Sequence, residues 1–188
     1  MKNVYTIGHS TLSLETFITL LKEHSIDVLV DVRAFPGSRR FPHFNKENLQ
    51  AALPRAGIQY EHLLALGGRR KKIKAAIPSP NVYWQQLAFR NYADYALSED
   101  FRDGLTHLEE AAAKNTCAIM CSEAVWWRCH RRIITDYLLA DGIQVFHILG
   151  KGKADPATMT ETARKEGESR LIYDLAPGGQ TQLFQDDL

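Results

Sequence analysis

Cysteine is scarce in this chain, and what there is argues against cross-linking. Three cysteines among 188 residues are too few, and odd in number, for a disulfide framework; they point to a reducing compartment. Charge of one sign is also missing. Lys and Arg number 23 against 22 Asp and Glu, a net +1, so any basic surface has to be local. No run approaches the ~20 apolar residues of a membrane span, and no apolar stretch of a secretory leader follows Met1-Lys2-Asn3. Internal repeats and low-complexity tracts are absent as well. The expectation is a cytoplasmic protein without a membrane partner, and 45% hydrophobic residues suffice for one substantial core.

What is present is an alternation of strand-like and helical segments. Val4–Ile7 reads as a strand stopped by Gly8, and Ser13 as the N-cap of a helix with Leu14, Phe17, Ile18 and Leu21 on one face. Ile26–Val32 is nearly continuous and β-branched, as in a strand covered on both faces of a parallel sheet. Asn45 is expected to cap a helix to about Arg55, closed by Gly57 before a short strand at Ile58–Tyr60. Leu66–Pro80, with Gly67-Gly68, basic residues and two prolines, reads as an exposed loop. Helices are expected at about Val82–Ala96 and Glu99–Lys114, a strand at Cys117–Met120, a helix at Trp127–Ala140 and a last strand at Ile143–Leu149. Beyond Gly150 the pattern suggests a helix near Thr158–Lys165 and an extended piece at Leu171–Tyr173. This order predicts a three-layer α/β domain with a mostly parallel sheet over residues 1–150, with 151–188 packed on it or trailing it.

In such sheets ligands collect beyond the carboxyl ends of the strands, and the reactive residues fall there. His9 and Ser10 follow the first strand, Asp31 and Arg33 end the second, and Cys121 and Glu123 follow the fourth. Helix-start amides and nearby arginines would lower the pKa of Cys121 and make it a nucleophile, with Glu123 as an acid/base group; the alternative is a small buried residue. On a helix starting at Trp127, His130 lies on the buried face toward the sheet, as a catalytic or a core histidine. Cys129 and Arg131 flank that face, while Arg128 and Arg132 point to solvent. Arg131 is the better candidate for binding an anion or a carboxylate. Arg33 and Arg39 are candidate anion clamps, with Ser38 and His43 as secondary ones. Asp31 is equally read as structural or as part of the site.

Two other readings compete. Cys121, Cys129, His130 and His9 are soft ligands, but C-x7-C is not a standard zinc spacing and no C-x-x-C or H-x3-H pair is present. No cofactor is therefore expected, and zinc is a minor alternative. The basic run Arg69–Lys74, near Tyr83, Trp84, Phe89 and Tyr92, suggests a nucleic-acid surface, against the plainer reading of a solvated loop beside core aromatics.

Several segments together resemble a known family. They are Tyr5-Thr6-Ile7-Gly8-His9-Ser10, Leu29-Val30-Asp31-Val32-Arg33 with Pro36 and Ser38-Arg39, Leu66-Gly67-Gly68, Tyr92-Ala93, Met120-Cys121-x-Glu123-x5-Cys129-His130-Arg131, and Val145-x-His147-Ile148. In this order, over about residues 4–150, the chain resembles the bacterial and archaeal "domain of unknown function 488" family. The resemblance implies a Rossmann-like α/β domain and a site of His9, Ser10, Asp31, Arg33, Cys121, Glu123, Cys129, His130 and Arg131, without an established activity. A rhodanese-type sulfurtransferase is a second analogy, but its cysteine loop is shorter and glycine-bearing, unlike Ala124-Val125-Trp126-Trp127. The functional expectation is a cysteine-dependent transferase or hydrolase acting on an anionic small molecule or nucleic-acid end; the alternative is a non-catalytic nucleic-acid-binding module built on Arg69–Lys74.

Overall fold

The computed structural model describes residues 3–72, 78–167 and 169–174. Its main sheet has six strands in the order β3-β2-β4-β1-β5-β6. These are β1 (Asn3–Gly8), β2 (Val28–Asp31), β3 (Gln59–His62), β4 (Cys117–Cys121), β5 (Gln144–Gly150) and β6 (Lys153–Pro156). The first five run parallel, and β6 pairs antiparallel with β5 at the edge. The helices are α1 (Leu14–Glu23), α2 (Lys46–Ala52), α3 (Leu87–Tyr95), α4 (Glu99–Ala112) and α5 (Arg131–Ala140). The protein is therefore a Rossmann-like α/β domain with a mostly parallel sheet. Among the described residues no helix is long and apolar enough to cross a membrane.

Alternation along the strands decides what each layer holds. Side chains of period two point to opposite faces. Val28, Val30, Cys117 and Ile119 pack with Phe101, Leu105 and Leu108 of α4 and Ile133, Ile134 and Tyr137 of α5. Leu29, Ala118 and Met120 face the other way, onto Phe17 and Leu21 of α1 and Leu49 of α2. Both faces of β2 and β4 are buried, which is why these strands read as unbroken apolar runs.

Local chemistry sets most boundaries, and some depart from expectation. Ser13 caps α1 as expected, accepting from the Thr16 N–H at 3.1 Å. Asn45 instead turns its Oδ1 to the Ser38 N–H at 2.6 Å and makes no cap bond to α2. The helix expected from Trp127 starts only at Arg131, after a 3-10 turn over Trp126–Arg128. The one expected from Val82 starts at Leu87. No helix forms at Thr158–Lys165; there Ala163–Glu166 (β7) pairs with Arg170–Tyr173 (β8) in a hairpin. That hairpin buries Leu171 and Tyr173 in the α4–α5 core. The buried Asp136 carboxylate ties it down, accepting from Thr160 N–H at 2.8 Å and Tyr173 O–H at 3.0 Å.

His147 of β5 links the sheet to the loop after β4. Its Nδ1 hydrogen-bonds Thr6 Oγ1 at 2.8 Å, and its ring stacks on Trp126 at 4.3 Å and 8°. Burial, then the Arg131 guanidinium, lowers its pKa from the ordinary 6.5 to about 4. The unfolded chain takes up this proton below pH 6.5 and the folded one only near pH 4. Stability is therefore complete above pH 6.5 and is lost as pH falls toward 4, by roughly 2–3 kcal/mol for this group. Denaturant titrations of His147→Gln at pH 7 and pH 4.5 should show a difference smaller than wild type by about 2 kcal/mol; an unchanged difference would refute the assignment.

Candidate functional site at the carboxyl edge of the sheet

Beyond Gly8 and Cys121, opposite each other in the register, the pairing of β1 and β4 continues into their loops. His9 N–H donates to Cys121 O at 3.0 Å and Ser10 N–H to Ser122 O at 3.1 Å. The loop then crosses β1 so closely that a Cβ on Gly8 would lie 1.9 Å from Glu123 O. Arg131, the first residue of α5, fastens the loop from below. Its Nη2 donates to Glu123 O at 2.6 Å and its Nε to Cys129 Sγ at 3.3 Å.

This turn brings the two thiols together. Cys121 Sγ, Cys129 Sγ and a ring nitrogen of His130 all lie within 4.8 Å of one another. His130 Nε2 donates to Val32 O at 2.8 Å, so the carbonyl fixes the proton on Nε2 and leaves Nδ1 as a bare lone pair, 3.5 Å from Cys129 Sγ. Burial alone would raise the Cys129 pKa; hydrogen bonding from Cys121 and the Arg131 charge outweigh it and hold Cys129 below the ordinary thiol range. Cys121 is held well above that range, first by its bond to Cys129 and then by burial. Of the two thiols, Cys129 is therefore the one that gives up its proton more readily. The expectation of a low-pKa Cys121 is corrected.

Asp31 and Arg33 form a buried ion pair on the α1–α2 side. Arg33 Nε donates to Asp31 Oδ1 at 2.9 Å, and Nη2 to Asp31 Oδ2 at 2.6 Å and Phe44 O at 2.8 Å. Tyr60 O–H adds a bond to Asp31 Oδ2 at 2.8 Å. Arg33 Nη1 faces His9 Nε2 at 3.4 Å, and His9 Nδ1 donates to Ser10 O at 3.1 Å. The His9 ring stacks on Phe44 at 4.1 Å. Burial, then Arg33, lowers its pKa from 6.5 to about 4, so it is neutral near pH 7.

The two clusters meet at a cavity of about 510 Å³. His9, Ser10, Arg33, Cys121, Glu123 and His130, all candidates from the sequence, line it. Four others do not. Asp31 lies fully buried behind Arg33, Arg131 is buried at 1% exposure beneath the loop, Cys129 sits behind Cys121, and Arg39 is exposed outside the cavity. Arg131 and Asp31 therefore position other groups and do not meet a ligand there. Arg132 is half-buried: its guanidinium lies 4.9 Å from the Trp84 ring centroid and Nε donates to Thr160 Oγ1 at 3.1 Å. Of the secondary candidates, Ser38 lines the cavity, while His43 Nε2 bonds Leu12 O at 3.1 Å.

Arg69, Phe35, Phe41 and Gly68 also line the cavity and had no sequence assignment to it. Gly67-Gly68 was the available signal for Arg69, because glycines before a basic residue mark a close backbone approach. The rest of the basic run divides. Arg70 serves the fold, 3.7 Å from the Tyr95 ring centroid with bonds to Gly67 O and Leu64 O at 2.8 and 2.7 Å. Lys71 and Lys72 are exposed, and Ile73 and Lys74 lie outside the described residues. Tyr83, Trp84, Phe89 and Tyr92 pack in or against the core and offer no stacking platform.

The loop crossing gives a direct test. Gly8→Ala places a methyl where Glu123 O lies, an overpacking worth about 1–3 kcal/mol, and must displace the loop that carries Ser122 and Glu123. Thermal unfolding should show a lower midpoint, and Cys121 should become more accessible to iodoacetamide. Wild-type values for both would refute the close approach.

No curated protein and no solved structure matched the chain. The family model described as Domain of unknown function DUF488 matches residues 13–138, a span that holds β2, β4, the thiol loop and most of α5. The chain belongs to the DUF488 family.

Proposed function

We propose that the protein is a cysteine-dependent transferase or hydrolase that acts on an anionic ligand, a phosphate-bearing nucleotide or a nucleic-acid end, at the carboxyl edge of the sheet. The observation that carries this reading is the floor of the cavity. Cys121 opens onto it at 8% exposure, while Cys129 and His130 Nδ1 stand within 4.8 Å behind. A thiol that keeps its proton needs a base in contact, and this one has two. Attack by Cys121 sulfur on an electrophilic phosphorus or carbon forms the sulfur–ligand bond and breaks the bond to the leaving group. The thiol proton passes to Cys129 or His130, and water or a second acceptor then takes the group from sulfur. Glu123, exposed at the mouth, is the carboxyl group positioned for proton exchange with the leaving group.

Anion recognition is supported by Arg69, by the Nη1 proton of Arg33 not directed at His9, and by the lining hydroxyls of Ser10, Thr11, Ser38 and Ser122. Phe35, 71% exposed at the rim, and Phe41 supply flat apolar surface for a base. Three free cysteines agree with a cytoplasmic, reducing setting.

The test is Cys121 alkylation by iodoacetamide, followed by peptide mass spectrometry, with mononucleotides and 5′-phosphorylated oligonucleotides as probes. A probe at ten times its Kd should slow alkylation about tenfold, and turnover of a protecting probe should vanish in Cys121→Ser. If no phosphate ester protects Cys121, or Cys121→Ser keeps full turnover, the proposal fails. Oligonucleotide binding that falls steeply with salt and survives Cys121→Ala would favour the module built on the basic loop instead.

A further inference from the structure

We infer that Cys121, Cys129 and His130 are three ligands of a zinc-type divalent ion whose fourth coordination position opens onto the cavity. Tetrahedral zinc, with Zn–S of about 2.3 Å and Zn–N of about 2.0 Å, sets its ligand atoms roughly 3.3–3.8 Å apart. Cys129 Sγ and His130 Nδ1 already stand 3.5 Å apart, and Cys121 Sγ lies within 4.8 Å of both. Closing the two edges at Cys121 asks for roughly an ångström of side-chain movement.

The surroundings are those of a ligand set. His130 gives its second ring nitrogen to the Val32 carbonyl at 2.8 Å, the arrangement that aims the other nitrogen at a metal. Arg131 Nε donates to Cys129 Sγ at 3.3 Å, the outer bond a metal-bound thiolate accepts. Space beside Nδ1 is kept by Gly68, where a Cβ would stand 2.8 Å from that atom. Two thiolates and one imidazole select a soft, d10-type cation over magnesium or calcium. Three protein ligands with one position left to solvent is the composition of reactive rather than structural zinc sites. The C-x7-C spacing hides this because the ligands are not two pairs on one ribbon. One comes from a strand end, and two adjacent ones come from the residues that lead into α5.

This inference rests on the cavity being the reaction centre and sets a condition on it. Ion binding uses the Cys121 sulfur as a ligand and releases its proton to solvent, so the ion-loaded and thiol-reactive forms are exclusive states of one centre.

Full-length protein stripped with chelator and kept anaerobic is titrated with Co²⁺, then Zn²⁺. One Co²⁺ per chain should bind with thiolate-to-cobalt charge transfer and the visible bands of four-coordinate cobalt, and Zn²⁺ should displace it. Cys129→Ser, His130→Ala and Gly68→Ala should each weaken binding about 10- to 100-fold or more; Gly68→Ala removes no ligand and so reads the geometry of the site even if a ligand variant misfolds. Cobalt bound without charge transfer, or affinity unchanged in Cys129→Ser and His130→Ala, overturns the inference. Alkylation of Cys121 separates it from the functional reading. Protection by Zn²⁺ but by no phosphate ester supports the ion site alone; protection by a phosphate ester but not by Zn²⁺ supports the thiol enzyme alone and refutes the site.

Discussion

The buried guanidinium of Arg131 is the constraint around which the carboxyl edge of the sheet is arranged. At 1% exposure it cannot keep its hydration, and a buried charge without compensation costs several kcal/mol. Among the described residues no carboxylate pairs with it. Its partners are the carbonyl of Glu123 and the sulfur of Cys129. Only the sulfur can carry a compensating charge, and the guanidinium adds to the hydrogen bond from Cys121, the larger influence, in holding Cys129 below the ordinary thiol range despite its burial. Arg33, almost as deeply buried, solves the same problem with Asp31. One arginine is thus closed into an ion pair with a carboxylate, and the other rests against a thiol that it makes more acidic. The chemistry of the edge follows from that difference.

Strand alternation then decides which groups can meet. Cys121 has the parity of Cys117 and Ile119, which pack toward α4 and α5, so its thiol turns to the side where Cys129 and His130 lead into α5. Asp31 has the parity of Leu29 and faces α1 and α2. This much was legible in the sequence, because β2 and β4 are apolar on both faces and their registers can be counted. The helical wheel misled: starting it at Trp127 set Cys129 on a flank, whereas the chain makes a 3-10 turn at Trp126–Arg128. The reason for the delay is tertiary. Trp126 stacks on His147 of β5, and no local propensity reports a contact made to a strand that comes later in the chain.

The same limit explains the other departures. Ala163-Arg164-Lys165-Glu166 has respectable helix formers, yet it becomes a strand because β8 is held beside it by the burial of Leu171 and Tyr173 and by the bonds they donate to Tyr137 and Asp136. Arg69 was legible only as one of a run of cations. Its place at the cavity depends on Gly68 approaching the His130 ring, a contact between segments about sixty residues apart. Composition and periodicity carried the fold; what they missed are contacts whose two halves lie far apart in the chain.

Charge at the cavity follows from these pairings. The positive charge of Arg33 is paired with Asp31, and Arg131 is held by Cys129 sulfur and Glu123 carbonyl; neither Asp31 nor Cys129 lines the cavity, and His9 is neutral near pH 7. Among the described residues, the cavity lining offers one full cation at Arg69, the Nη1 edge of Arg33, the hydroxyls and the Glu123 carboxylate. Under the proposed function, such a lining would recognise an anion through directed donors more than through bulk field. Its salt dependence should be that of one or two ionic contacts, a slope of magnitude below about 2 on logarithmic axes. A surface that gripped a polynucleotide along its backbone would need several free cations in a row. Arg70, bound to three carbonyls and stacked on Tyr95, is already withdrawn from that role. The arrangement therefore fits the capture of one anionic group beside Cys121 better than the tracking of a long chain.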